Sequence, residues 1–209
     1  MAIDEVLLET SKATTIRFYR WHSPALSFGY FVKFADVSDY AAERELVRRW
    51  TGGGIVFHGS DLTYSIVIPA SDPAFPELSL AIYEKVHHAL CEALAGHNQG
   101  TELLTVGMLD NRRPGDRRSL GNNCFAHPVR ADVMINGRKV AGAAQRRTRA
   151  GLLQQGSIQG VDLDNALADR FARALSAKCI QQEINNEILE RAGELTERKY
   201  GTSAWMRKR

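Results

Sequence analysis

The sequence predicts an α/β fold of the α+β kind, with a mixed, largely antiparallel sheet flanked by helices. Three observations predict it. Asn136-Gly137 separates two β-prone apolar runs, residues 131–135 and 138–143, and both central residues of a type I′ hairpin turn need positive φ. Residues 79–95 place Leu80, Ile82, Tyr83, Val86, Leu90, Ala93 and Leu94 on one side of a helix that must cover something. Strands and helices do not alternate in a regular βαβ rhythm, so a parallel sheet is disfavoured.

Taken in order, residues 2–11 read as a helix, with Ile3, Val6, Leu7 and Leu8 near helical spacing. Ile16, Phe18, Tyr19 and Trp21 mark an aromatic strand that Pro24 breaks, and residues 25–32 form a second short strand with Gly29 inside it. Residues 37–47 suit a helix, with Ser38 or Asp39 as N-cap and Tyr40, Leu46 and Val47 as apolar contacts. Residues 61–68 are a β-branched strand ending at Pro69, and Pro73 and Pro76 hold the next segment in a loop. Within the 79–95 helix, Cys91 reads as core. Residues 107–123, polar and arginine-rich, read as a mobile surface loop, and residues 152–158 as a strand. Two helices follow, over residues 162–175, capped by Asp162 or Asp164, and from residue 180 to about 199.

With 209 residues, the chain has the size of one domain, taken here as 1–209 with no C-terminal accessory domain. Hydrophobic residues at 44% and charged residues at 24% are those of a soluble globular protein. No run reaches the ~18 apolar residues of a membrane span. The opening MAIDEVLLE is acidic where a secretory signal is basic, so a cytoplasmic protein is expected. Cys91, Cys124 and Cys179 are odd in number and widely spaced, which disfavours a disulfide framework or a zinc site. Net charge is only +3, and no aromatic–basic platform accompanies it, so nucleic acid is not the expected partner. Arginines cluster at 48–49, at 112, 113, 117 and 118, and at 146, 147 and 149; each cluster fits either an anionic ligand or solvated surface charge.

Two segments carry chemistry. Gly52-Gly53-Gly54 follows Arg48-Arg49-Trp50-Thr51 and precedes Ile55-Val56-Phe57-His58. Three glycines cost conformational entropy and add no packing, so they serve either a tight turn or close approach of a ligand to backbone N–H groups. The spacing is neither a P-loop nor a dinucleotide fingerprint. Lys139 follows the hairpin turn and precedes the small residues Ala141, Gly142 and Ala143. Regular pleating would face Lys139 and Ala141 one way, Val140 and Gly142 the other. Such a lysine is either a fixed charge for an oxyanion or phosphate, or an exposed edge-strand lysine.

The run from Arg48 to His58 resembles the signature of the biotin/lipoate protein ligase superfamily. Cys124-Phe125 with Pro128, then Asp132 to Gln145, is similar to that superfamily's lysine segment, and Leu153-Gln154-Gln155-Gly156-Ser157-Ile158 continues the likeness. The opening, with Asp4-Glu5 and then Arg17-Phe18-Tyr19-Arg20-Trp21, is similar as well, so the resemblance spans about residues 2–180. It implies a class II synthetase-like lipoate ligase catalytic domain, whose pocket holds a medium-length acyl chain. By position, Lys139 would contact the acyl carbonyl or activating phosphate. Gly52, Gly53 and Gly54 would line the acyl group, Arg48, Arg49 and His58 would shape the site, and Thr51 and Ala141 to Ala143 would complete its walls.

The superfamily holds two chemistries. In the cysteine-dependent octanoyltransferase branch, a cysteine in a Cys-Phe-x-x-Pro segment, here Cys124, takes octanoyl from acyl carrier protein and passes it to a lysine of a lipoyl-carrier protein. Nearby cations would lower the thiol's pKa and make it a competent nucleophile. In the ligase branch, ATP with Mg activates lipoate as an adenylate, and an accessory domain, here on a separate chain, assists. Cys124, Gln145 and Arg146 favour the transferase, whereas Thr51-Gly52-Gly53-Gly54 is nearer the ligases. A non-catalytic paralogue that binds acylated carriers is a third reading. No tightly bound cofactor or metal is expected. The implied partners are acyl carrier protein and a lipoyl-domain or glycine-cleavage H-like protein, with no nucleic acid and no membrane. A monomer is expected, and the 112–118 arginines would meet an acidic partner.

Overall fold

The computed structural model describes residues 1–95, 101–103 and 129–208. Helix α1 (Ala2–Thr10) leads into β1 (Thr15–Tyr19) and β2 (Ala25–Phe28), then β3 (Glu45–Arg48), β4 (Ile55–His58) and β5 (Leu62–Pro69). Helix α2 (Ser79–Ala95) precedes β6 (Thr101–Leu103), β7 (Val133–Ile135), β8 (Arg138–Arg147) and β9 (Gly151–Ile158). Three helices follow: α3 (Leu167–Leu175), α4 (Asn186–Leu195) and α5 (Ser203–Met206).

Two sheets form. The larger is fully antiparallel in the order β1-β5-β9-β8-β7-β6; the smaller runs β3-β2-β4, with β2 parallel to β3 and antiparallel to β4. Both faces of β5 and β9 are buried, so their polar residues, among them Ser65, Gln154, Gln155 and Ser157, are buried with the apolar ones. One face, carrying Tyr64, Ile66, Ile68, Leu152 and Ile158, packs on Ile82, Val86 and Leu90 of α2 and Leu167 and Phe171 of α3. Val67 and Leu153, on the other face, meet Leu7 and Leu8 of α1. On that same face Asp4 of α1 accepts from Arg17 Nε at 3.0 Å and from Ser65 Oγ at 2.7 Å, which docks the helix.

The 79–95 helix and the hairpin stand where periodicity and turn chemistry put them; Asn136 and Gly137 have φ of 50° and 75°. The predicted helix over 37–47 does not form. Its first half makes short 3-10 turns, and its second half becomes β3, because β2 recruits Leu46 and Val47 into a parallel ladder. The second strand also stops at Phe28 rather than continuing to residue 32. The two late helices start further on than expected. Asp164 Oδ1 accepts the Ala166 N–H at 2.8 Å and so shapes the turn before α3, while Asn185 caps α4 through the Ile188 N–H at 2.9 Å. Cys91 packs against the core, and burial pushes its thiol up to about 12, as suits an inert residue. No helix among the described residues is long and apolar enough to cross a membrane. The 107–123 loop, with its four arginines, lies outside the described residues.

Candidate active site

Lys139 is positioned by an irregularity in the hairpin. Val133 pairs with Ala141, but the next residue, Met134, pairs with Lys139, so Val140 is one residue too many. The bulge changes which side chains share a face. Val140 and Ala141 both enter the core under α2, and Lys139 moves to the side of Gly142. Regular alternation, which paired Lys139 with Ala141, is thereby corrected. A Cβ on Gly142 would lie 2.5 Å from both Cε and Nζ of Lys139, so glycine is what lets the amine lie flat on the strand.

The amine is buried and paired. Lys139 Nζ lies 2.7 Å from Asp132 Oδ2, with side-chain exposures of 2% and 0%. Asp132 also accepts the Val129 N–H on Oδ2 at 2.6 Å and the Tyr83 hydroxyl on Oδ1 at 2.6 Å. Tyr83 in turn accepts the Ala143 N–H at 2.9 Å, which binds α2 to β8. Ala131, just before Asp132, has φ of 65°, a left-handed conformation costing a non-glycine residue about 1–2 kcal/mol. Its carbonyl accepts the His87 Nδ1–H at 2.5 Å, so Nε2 takes the Tyr64 hydroxyl at 2.8 Å. Burial holds His87 down at about 4, although the Ala131 carbonyl and Asp132 favour its charged form.

On the facing sheet, Arg49 Nη2 donates to Gly54 O at 2.7 Å and Gly52 O at 3.2 Å, closing the glycine turn around a guanidinium. Gly53 has φ of 83°, and a Cβ there would lie 3.3 Å from the Ala144 Cβ, so the turn crosses β8 one strand repeat beyond Gly142. Arg49 Nη1 donates to Ser27 Oγ at 2.7 Å, and Ser27 Oγ shares a hydrogen bond with His58 Nε2 at 2.6 Å. His58 Nδ1 then donates to Asp61 Oδ2 at 2.7 Å. Ser157 Oγ, Thr63 Oγ1 and the Gly59 N–H also donate to that carboxylate. Burial alone would raise Asp61, but hydrogen bonds from His58, Ser157 and Gly59 outweigh it and hold the acid at about 2. Trp21 stacks on His58, ring centroids 4.2 Å apart.

Between these walls lies a small, largely apolar pocket, about half open to solvent. Arg49, His58 and Ser27 line one side, and Gly142, Ala144 and Ser157 the other. Pairing registers align Gly142, Ser157, Thr63 and Tyr19 in one row across β8, β9, β5 and β1. Three strand spacings of roughly 4.8 Å make that floor about 14 Å long.

Among the residues expected at the site, Arg49, His58, Gly142 and Ala143 line this pocket. Lys139 lies against the floor at Gly142. Gly52, Gly53 and Gly54 form the turn over it, and Thr51 ties that turn to β9 through Gln155 Oε1 at 2.9 Å. Arg48 is elsewhere. Its Nη1 donates to Tyr30 O and Val32 O and its Nε to Met206 O, so it anchors α5 to the small sheet. Ala141 is core, and Cys124 lies outside the described residues. Asp132, Asp61, Ser27 and Ser157 were not singled out. Asp61, three residues after His58, and Asp132, just before the hairpin, were visible as acids beside strand-like runs, and Ser157 lay within the family-like run 153–158; Ser27 gave no signal.

This geometry has relatives. A model of the lipoyl protein ligase A/B catalytic domain matches residues 1–198. The octanoyltransferase LipM of Staphylococcus epidermidis is 36% identical over 181 residues, covering 82% of this chain but only 64% of that protein. The chain therefore spans just under two thirds of that relative's length. LipM of Macrococcus caseolyticus is 33% identical, covering 92% of this chain and 78% of its own. Among solved structures, a lipoate-protein ligase A bound with ATP aligns at TM-score 0.74 and 22% identity over 98% of this chain and 91% of its own. The putative lipoate protein ligase Ta0514 of T. acidophilum with bound lipoic acid aligns at TM-score 0.71 and 20% identity over the same shares. A family match spanning nearly the whole sequence, joined to this fold, places the chain in the lipoyl protein ligase A/B catalytic-domain family.

Proposed function

We propose that this chain moves an octanoyl or lipoyl group from a carrier protein to a lysine of a lipoyl-domain protein, through a thioester on Cys124. The observation that carries the reading is the buried Lys139 amine packed against Gly142, a residue that lines an apolar pocket beside the glycine turn. The Cys124 thiolate attacks the carbonyl of the donor thioester, and the tetrahedral oxyanion faces Lys139. Its collapse expels the donor's thiolate and leaves acyl-Cys124. The acceptor lysine amine then attacks the same carbonyl, Cys124 leaves, and the amide is formed. Lys139 contributes fixed positive charge in both steps, in a site where water does not screen it.

Relatives named octanoyltransferase support an octanoyl donor; its carrier, in this reading, is acyl carrier protein. A lipoyl domain or a glycine-cleavage H-like protein is the acceptor, and the enzyme acts in the cytoplasm as a monomer without a resident cofactor. A second reading, an ATP- and Mg-dependent lipoate ligase with its accessory domain on another chain, is favoured by Thr51-Gly52-Gly53-Gly54 and by the fold shared with the ATP-bound ligase. The two part on ATP. Incubation with octanoyl-carrier protein and apo-lipoyl domain, without nucleotide, should give octanoylated domain, and Cys124→Ser should abolish it. Modification that requires ATP and free lipoate would establish the ligase instead. Carrier binding without any transfer would establish a non-catalytic binder.

A further inference from the structure

Tyr19 ends β1 at the far end of the pocket's floor row, three strands from Gly142. Its hydroxyl is shut off from solvent and has no hydrogen-bond partner among the described residues. The other polar groups along the floor are engaged: Thr63 accepts from Trp21 Nε1 and donates to Asp61, Ser157 donates to Asp61, and Gln155 donates to Asp4 Oδ2. The Tyr19 ring is held between neighbours: the Arg17 guanidinium lies 4.1 Å over it and Trp21 packs 6.2 Å from it. A buried hydroxyl left without a partner is costly, and evolution of a purely alkyl binding site would favour phenylalanine there.

We infer that the Tyr19 hydroxyl is a specificity contact for the distal end of the acyl chain, selecting tails that carry a hydrogen-bond acceptor. The sulfur atoms of a dithiolane ring are such acceptors, whereas the methyl end of octanoyl is not. This rests on the acyl-pocket reading above: with the acyl carbonyl at Lys139, the tail runs along the row toward β1. A lipoyl tail gives the hydroxyl a partner. An octanoyl tail leaves it without one. The pocket is thereby tuned toward lipoyl, although octanoyl fits the same floor.

The test compares octanoyl and lipoyl thioesters of N-acetylcysteamine as donors, with a lipoyl domain as acceptor. Tyr19→Phe keeps the ring and its packing, and thermal melts verify that the fold survives. Wild-type protein should prefer the lipoyl donor in kcat/KM by about tenfold, which corresponds to about 1.4 kcal/mol. Tyr19→Phe should bring that ratio close to one by losing lipoyl transfer and gaining octanoyl transfer. A ratio that Tyr19→Phe leaves unchanged, with both donors still used, overturns this inference and leaves the acyl-transfer reading standing. Use of neither donor by the wild-type protein overturns both.

Discussion

Lys139 and Asp132 form an ion pair at 2.7 Å with almost no exposed surface, in a protein whose other described ion pairs lie mostly at its surface. Removing one partner strands the other. Lys139→Met should therefore destabilise the fold by about 3–5 kcal/mol, as well as reducing transfer by at least about a hundredfold. The double variant Lys139→Met with Asp132→Asn should recover part of the stability and none of the activity. Urea unfolding of the four proteins of this cycle measures the coupling; additive losses would contradict it.

Gly142→Ala separates position from charge. The new methyl would meet Lys139 Cε and Nζ at 2.5 Å and must push the flexible side chain aside. Stability should fall by only about 1–3 kcal/mol, the usual cost of overpacking. Transfer should fall at least tenfold in kcat, with the lysine and its counter-charge still present. Full activity in this variant would mean that the lysine's placement on the floor is immaterial.

His87 and Asp61 each make stability fall in acid, in separate windows. His87 is held at about 4 against an ordinary 6.5, so the unfolded chain binds a proton that the native chain refuses. Its contribution, about 3 kcal/mol, is complete above pH 6.5 and is lost as pH falls toward 4. Asp61 is held at about 2 against 3.8, and its contribution, about 2 kcal/mol, is lost between pH 4 and 2. Chemical denaturation across pH 7.5–4 should show the first slope, and His87→Gln should flatten it. A slope that this variant retains would assign the effect to other groups.

Much of the frame was legible in the sequence because local rules and tertiary packing agree there. The 79–95 helix shows its stripe, and Asn136-Gly137 dictates its turn. Where they disagree, reading failed. The helix expected over residues 37–47 gives way to a strand from Glu45, because nothing local reveals that β2, twenty residues earlier, will claim Leu46 and Val47 as ladder partners. The bulge at Val140 carries no turn residue, yet it decides that Lys139 faces Gly142 and Ala141 the core. The paired arginines look alike in sequence, but Arg49 grips the glycine turn and Arg48 the carbonyl of Met206, a contact across 158 positions.

That difference between the arginines is itself testable. Arg48→Ala leaves the carbonyls of Tyr30, Val32 and Met206 without their donor, and should cost about 2–4 kcal/mol while loosening α5. Folded protein at low temperature should keep its KM for the acyl donor. Arg49→Ala should instead raise KM or lower kcat, since it opens the glycine turn and frees Ser27. Equal kinetic effects from the two substitutions would contradict the division.

A crystal structure of the protein with a bound octanoyl or lipoyl group addresses the whole account at once. The acyl carbonyl should lie within hydrogen-bond reach of Lys139 Nζ under Gly53, with the chain running over Ser157 and Thr63 toward Tyr19. An acyl group found outside the space between the two sheets, or with its carbonyl turned away from Lys139, would contradict it.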